Sequence, residues 1–174
     1  MTTVNEDAQR VRGYLTSQAN KLSLAELVEK VERDSLPLWD AAAVVPAGRL
    51  AERPGAEDWS ALEVLTHVLD LNERGASATE GIIATGAPPP PIADELRHEQ
   101  RAGLTSVEDY RRAWTDRRAR LYERVRAARG DEHLDVPIAH FMFGDLSWRE
   151  WFLFMRVHDL DHMRQLQSIS EALA

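Results

Sequence analysis

Two histidines, His158 and His162, lie four residues apart in the segment VHDLDHMRQL. In an α-helix this spacing places both side chains on one face, about 6 Å apart along the axis. Two imidazoles in that position can bind one metal ion at about 2.0–2.1 Å each. The alternative is a pair of core histidines that hydrogen-bond to other protein groups, and this segment by itself leaves both interpretations open.

A third histidine, His67, lies beside the apolar stripe of a separate helical segment, SALEVLTHVLDLNER. Three histidines from two facing helices would leave one coordination position open, which is typical of catalytic rather than structural zinc sites. Imidazole ligands favour Zn²⁺, Ni²⁺ or Fe²⁺ over Mg²⁺ or Ca²⁺. We therefore predict a divalent metal, zinc or nickel, bound by His67, His158 and His162.

Acidic residues close to these histidines are candidates for orienting the imidazoles. Asp70 and Asp161 could accept a ring N–H and so fix an imidazole tautomer. Glu63 fits better as a helix-capping residue, and Asp159 is predicted to be a solvated surface charge.

The other three histidines, His98, His133 and His140, fall in connecting segments and are predicted to be ordinary loop residues. His140 could approach the mouth of the site, although nothing in the spacing requires it. A possible substrate-binding residue is Arg117, in the apolar stripe of another helix, where a guanidinium could bind a substrate carboxylate. We favour the alternative, in which the Arg117 stem packs at the edge of the stripe and its head reaches water.

Four capping boxes predict the helices that must position these residues. Each has a Ser or Thr followed three residues later by Glu, which together satisfy free amides of the first turn. The boxes are Ser23 with Glu26, Ser60 with Glu63, Thr105 with Glu108, and Ser147 with Glu150. The predicted helices run roughly from 24 to 43, 61 to 85, 106 to 129 and 148 to 172, with a short helix near 5 to 18 before them. Gly86 and Gly130 are predicted to close the second and third, and Pro37 to kink the first.

The predicted last helix turns a continuous stripe inward at spacings of three and four residues. The stripe comprises Trp148, Trp151, Met155, His158, His162, Gln165 and Ile169. Aromatic residues on more than one face of this helix suggest that it is covered on several sides, and a homodimer would provide such cover. No segment alternates with a period of two, so we predict an all-α fold without a sheet.

The linker at 86–105 contains APPPP, which is extended and excludes a helix. About 20 extended residues cover roughly 60 Å, whereas a 24-residue helix is about 36 Å long. The linker is therefore long enough to cross a bundle and let the second and third helices run parallel.

Composition limits the possible functions further. The chain has 174 residues and a net charge of −8, which predicts one domain over 1–174 and no general affinity for nucleic acid. The arginines of the third predicted helix are more simply explained by pairing with acidic neighbouring helices. The chain contains no cysteine, so a thiol donor would have to come from outside. We expect no signal peptide, no membrane span and a cytoplasmic location.

Two motifs together, DWSALEVLTHV and HDLDHMRQL, resemble the DinB-like superfamily, which includes the YfiT-like metal-dependent hydrolases. The resemblance covers roughly residues 20–172 and implies a four-helix bundle of up-down-down-up topology, with a long crossover between helices two and three. It also implies a divalent metal on His67, His158 and His162. Family members with known activity are largely S-transferases that use thiols such as mycothiol or bacillithiol, together with a mycothiol-dependent maleylpyruvate isomerase.

We therefore expect a metal-dependent enzyme that acts on a small-molecule substrate. An open three-histidine metal can activate a low-molecular-weight thiol cosubstrate, giving a transferase, or a bound water, giving a hydrolase. The alternatives are a non-catalytic metal-binding or stress-response module, and a bundle whose histidines bind no metal.

Overall fold

A computed structural model of the chain describes residues 3–93 and 100–174. Six α-helices and one antiparallel hairpin lie within these two ranges. The helices are α1 Thr3–Lys21, α2 Leu24–Ser35, α3 Pro37–Ala43, α4 Ala61–Thr85, α5 Val107–Arg126 and α6 Trp148–Ala172. The hairpin pairs β1, Ile138–His140, with β2, Gly144–Leu146. The fold is therefore mostly helical as predicted, but the expectation of no sheet is wrong for this short hairpin.

Capping boxes begin four of these helices, and three of them are the predicted ones, at Ser23, Ser60 and Ser147. The predicted box of Thr105 with Glu108 is wrong by one residue, because α5 begins with Ser106 and Asp109. The Asp109 carboxylate accepts hydrogen bonds from the backbone amides of both Thr105 and Ser106, at 3.2 and 3.0 Å. One carboxylate thus satisfies two amides, which explains the later start of the helix.

Several helix boundaries differ from the prediction. The first predicted helix is two helices, since α2 ends at Ser35 and α3 begins at Pro37. Proline lacks an N–H and clashes with the preceding turn, so it begins a helix more readily than it continues one. Gly86 closes α4 in the left-handed conformation, at φ 68°. By contrast α5 ends at Arg126, before Gly130, and α1 is longer than the predicted short helix.

Helix α6 is central, because it packs against α1, α2, α3 and α4. Its aromatic residues Trp148, Trp151, Phe152 and Phe154 are all buried within the single chain. The aromatic faces that suggested a homodimer are therefore covered by other elements of the same chain, and the homodimer stays a prediction. No helix in the described ranges combines the length and apolar character needed to span a bilayer.

The capping box of α6 predicts a pH-dependent contribution to stability. Partial burial acts to raise the pKa of Glu150, but hydrogen bonds from Thr16 and Ser147 outweigh it and hold the pKa below its ordinary value. The ionised carboxylate therefore stabilises the fold above the unfolded-state pKa of about 4.3, and this contribution is lost as the pH falls through the lower folded-state value.

We expect Glu150→Gln, which keeps the shape of the cap, to lower the free energy of unfolding by about 1 kcal/mol at pH 7. Urea denaturation of both proteins in EDTA at pH 7, 5, 4 and 3 measures this difference. The difference in the free energy of unfolding should shrink as the pH falls below about 4.3, the pKa of a free glutamate carboxyl group. A difference that stays constant down to pH 3 would show that the charge of Glu150 contributes nothing.

Candidate metal centre

The structure brings the three predicted ligands together at the contact between α4 and α6. His67 comes from α4, and His158 and His162 come from successive turns of α6. The Nε2 atom of His158 lies 2.9 Å from Nε2 of His67 and 3.1 Å from Nε2 of His162. Nitrogen atoms of all three rings lie within 4.8 Å of one another. Three imidazoles thus direct the same nitrogen toward one point.

This donor set fits a metal ion better than a set of hydrogen bonds. A neutral Nε2 carries either one proton or one in-plane lone pair, so His158 Nε2 can form only one good hydrogen bond of the two that its position offers. A metal ion accepts a lone pair from every ring, and two nitrogens bound to one tetrahedral zinc lie about 3.4 Å apart. The observed separations are close to that value.

Gln165 determines which ring nitrogen of His162 carries the proton. Its side-chain oxygen Oε1 lies 2.7 Å from Nδ1 of His162. The amide oxygen accepts the Nδ1 proton, which leaves the Nε2 lone pair of His162 available for a metal. Sequence analysis placed Gln165 in the inward stripe but did not assign it this role, although its spacing of three residues from His162 was a usable signal.

Trp59, the residue before the N-cap of α4, covers two of the three histidines. Its ring meets His67 edge to face with centroids 5.1 Å apart, and stacks over His162 with centroids 6.5 Å apart. The indole therefore restricts both imidazoles to one orientation and excludes water from that side of the cluster.

A cleft of about 590 Å³ opens over the histidines. Its walls include Phe143 and Phe154, and the hairpin tip residues Phe141 and Met142 are 62% and 45% exposed at its edge. A volume of this size is typical of a small-molecule site. The three candidate ligands thus lie in a cleft that is large enough for a small molecule.

His140 corrects a prediction, because it is not an ordinary loop histidine. It lies on β1, is 5% exposed and lines the same cleft. Its Nδ1 accepts hydrogen bonds from the backbone amides of Met142 and Phe143, at 3.1 and 3.2 Å. The ring of His140 also stacks on that of Phe143, with centroids 4.5 Å apart. His140 therefore holds the hairpin turn against the cleft.

The remaining histidines lie elsewhere. His133 is exposed in a connecting segment, and its ring lies against the backbone at Gly86, beyond the last turn of α4. His98 lies outside the described residues.

The two predicted orienting carboxylates occupy different positions. Asp161 is exposed at the edge of the cleft. Asp70 pairs with Arg74 and lies 3.9 Å from Arg101. His162 is oriented by Gln165, and the orienting role of Asp70 and Asp161 stays a prediction.

Arg117 is not brought to the histidines. Its guanidinium binds both oxygens of Glu80 at 2.7 Å each, on the last part of α4. Glu80 lies thirteen residues after His67, which is about 20 Å along the helix. Arg117 thus pairs with an acidic neighbouring helix, as expected for the arginines of α5.

Asp159 is buried, which corrects the prediction of a solvated surface charge. It is 1% exposed and its Oδ2 atom accepts hydrogen bonds from Arg118 at 2.9 Å and from Ser35 at 2.7 Å. Arg118, also 1% exposed, donates from Nε to Asn72 as well. This buried cluster, which we call the Arg118 network, joins α2, α4, α5 and α6, and its Asp159 directly follows His158.

The role of Gln165 is testable by a substitution that preserves size. We expect Gln165→Leu to weaken zinc affinity about 10- to 100-fold, because His162 loses the acceptor that holds its proton on Nδ1. Competition with a chromogenic zinc chelator measures the change. Gln167→Leu, at an exposed position of the same helix, is the matched control and should bind zinc like the wild type. Equal affinity in both variants would contradict the role of Gln165.

Comparison with known proteins places the three histidines within the profile of one family. A search of curated proteins gives no significant match. The sequence profile of one family, described as the DinB superfamily, matches residues 27–166. This range begins inside α2, ends inside α6 and contains all three histidines of the cluster. The profile covers well over half of the sequence, and the chain therefore belongs to the DinB superfamily.

Proposed function

We propose that the chain is a metal-dependent S-transferase, which joins a low-molecular-weight thiol to an electrophilic small molecule. The observation that carries the proposal is the convergence of three Nε2 atoms in an open cleft. His67, His158 and His162 would hold a divalent metal, with zinc and nickel the best matches to imidazole ligands. When bound, such an ion supplies the acidity that deprotonates a coordinated thiol at neutral pH.

The chain's own residues account for the other requirements of such a reaction. Gln165 and Trp59 keep the imidazoles in one tautomer and orientation. Phe143 and Phe154 offer an apolar wall for an uncharged electrophile. The chain has no cysteine, so the thiol must be a cosubstrate such as mycothiol or bacillithiol. Such thiols remain reduced in the cytoplasm, and we place the enzyme there.

We also infer a four-helix bundle of up-down-down-up topology, with α2 and α3 acting as one helix. The order of contacting residues along each pair of helices supports it. Between α4 and α5, Thr66 contacts Tyr110 and Asn72 contacts Arg118. Between α4 and α6, His67 contacts His158 and Gly75 packs against Trp151. Leu22, two residues before α2, contacts Arg149, and Ser35 at the end of α2 contacts Asp159. The residue numbers of the contacting residues rise together between α4 and α5 and between α2 and α6, as expected for parallel helices. Between α4 and α6 one number rises as the other falls, as expected for antiparallel helices. Parallel α4 and α5 then require the long crossover of the DinB-like bundle.

The experiment that tests the function uses protein purified without an affinity tag, stripped with EDTA and reloaded with Zn²⁺ or Ni²⁺. Conjugation of 1-chloro-2,4-dinitrobenzene is followed with mycothiol, bacillithiol, glutathione and cysteine, and without any thiol. The proposal expects metal-dependent formation of the thioether with at least one thiol, with release of chloride and the thiol proton, and no activity in His158→Ala.

Other outcomes separate the alternatives. If the protein hydrolyses ester or amide substrates without a thiol and conjugates none of the thiols, it is a hydrolase rather than a transferase. Stoichiometric metal without either reaction would indicate a non-catalytic metal-binding module.

A further inference from the structure

The cleft over the histidines adjoins a second cavity, which lies between α1 and α6 and has a volume of about 380 Å³. Four residues line both spaces: Arg10, Val11, Val157 and Arg164. We call the second cavity the arginine groove, because Arg156 joins Arg10 and Arg164 along it. A molecule bound at the histidines can therefore extend from the cleft into the arginine groove.

Apolar side chains lie between the cations of the arginine groove. Val11, Val157 and Leu160 are half-buried there, and Tyr14 adds a half-buried ring. Among the described residues, none that lines the arginine groove is acidic. The groove thus combines apolar surface for the body of a ligand with guanidinium groups for a negatively charged end.

Positive charge is in excess around Arg156. Its guanidinium binds the carboxylate of Asp34 at 2.6 Å, and the same carboxylate pairs with Arg33 at 2.9 Å and with Lys30 at 3.5 Å. Three cations therefore share one negative charge, in a chain whose net charge is −8. A local excess of cations beside a cleft raises the concentration of anionic ligands there.

Arg164 and Arg10 are the arginines that a ligand in the cleft can reach. Arg164 is exposed, and no carboxylate in the described part of the chain lies within 4.0 Å of its guanidinium. Even Asp161, three residues earlier on α6 and also in the cleft, does not pair with it. Arg10 pairs with Asp7 at 3.0 Å, but the two side chains are 79% and 67% exposed. Exposed pairs of this kind are weak, so a ligand carboxylate can compete with Asp7.

We propose that the arginine groove binds a carboxylate of the thiol cosubstrate, with Arg164 as the main contact and Arg10 as a second one. One guanidinium binds both oxygens of a carboxylate in a planar, bidentate pair, so a single unpaired arginine is enough for one such group. The uncharged electrophile keeps the apolar wall of Phe143 and Phe154. This inference rests on the proposed function, and it narrows the cosubstrate to thiols that carry a carboxylate.

The test measures binding without turnover, so that its result does not depend on the transferase reaction. Calorimetric titration of the zinc-loaded full chain compares N-acetylcysteine with N-acetylcysteine amide, which has the same size but no carboxylate. We expect the acid to bind about 5- to 20-fold more tightly than the amide, because charge-assisted hydrogen bonds are stronger than neutral ones. Sodium chloride at about 0.5 M should reduce this preference, since salt screens charges that are partly exposed.

Three variants show which arginine is responsible. Arg164→Gln should reduce the preference for the acid about 3- to 10-fold and leave the affinity for the amide unchanged. Arg10→Gln should have a smaller effect, because Asp7 already competes for Arg10. Arg120→Gln removes the same charge at an exposed position of α5 and is the matched control. The zinc content of each variant should equal that of the wild type, which separates loss of the carboxylate contact from loss of the metal.

The proposal is overturned if the acid and the amide bind equally, if neither binds, or if Arg164→Gln and Arg120→Gln show the same preference. A parallel titration with 3,5-dinitrobenzoate and 3,5-dinitrobenzamide identifies the source of the carboxylate. A preference for dinitrobenzoate alone would assign the arginine groove to the electrophile and overturn its assignment to the thiol. Binding as expected without any conjugation would support the groove and remove the transferase, whereas conjugation of two thiols that bind equally would do the reverse.

Discussion

Replacing His158 with alanine is expected to reduce zinc affinity by more than about 100-fold, since losses of that order already follow from disturbing residues that only orient a ligand. His158 is the central ligand, because its Nε2 lies within 3.1 Å of the corresponding atom of both other histidines. Its removal leaves two imidazoles on different helices, which bind one ion only weakly. Elemental analysis of tag-free protein and chelator competition measure the loss.

The matched control for this change is His133→Asn. It removes an imidazole beyond the end of α4, and asparagine tolerates the positive φ of 48° that His133 adopts. We expect this variant to retain one zinc per chain with wild-type affinity. Full zinc binding by His158→Ala would contradict the three-histidine site. Wild-type protein that cannot be loaded with zinc or nickel would do the same.

The second large effect concerns the Arg118 network. Asp159→Ala is expected to lower the free energy of unfolding by about 3–5 kcal/mol, because it leaves the Arg118 cation buried without its counter-ion. Ser35 and Asn72 cannot replace that charge, although both bond to members of the network. Urea denaturation of the metal-free protein measures the loss.

An exposed ion pair provides the control for this change. Glu32 and Arg126 are 52% and 49% exposed, so Glu32→Ala should cost no more than about 1 kcal/mol. The double variant Arg118→Met with Asp159→Leu should recover much of the stability, since it removes both buried charges. A loss in Asp159→Ala as small as that in Glu32→Ala would show that Arg118 reaches water when its partner is removed.

The clustering of the three histidines was predictable from sequence because helical periodicity determines which residues share a face. The spacing of His158 and His162, and the separate capping box before His67, were enough to place three imidazoles on facing helices. Helical periodicity does not show which distant segments of the chain contact one another. His140 was assigned to an ordinary loop because its burial depends on a hairpin with three residue pairs, too short for an alternating pattern to be detected.

Asp159 and Arg118 show a second limit of the sequence. A charge next to a histidine on a helix is more often solvated than buried, and only the partner on another helix reverses that expectation. Arg117 and Arg118 differ by one position, about 100° around the helix. Arg117 therefore reaches Glu80 near the surface, whereas Arg118 reaches Asp159 inside. The apolar stripe alone could not resolve which arginine points inward.

The hairpin tip has a consequence for how such a protein can diversify. Phe141 and Met142 border the cleft yet contribute no metal ligand and little to the buried core. Exposed turn residues tolerate substitution and insertion at small cost in stability, whereas the histidines on α4 and α6 do not. Substitutions at Phe141 and Met142 can therefore change the shape of the molecules that the cleft admits, while the histidines on α4 and α6 stay unchanged during evolution.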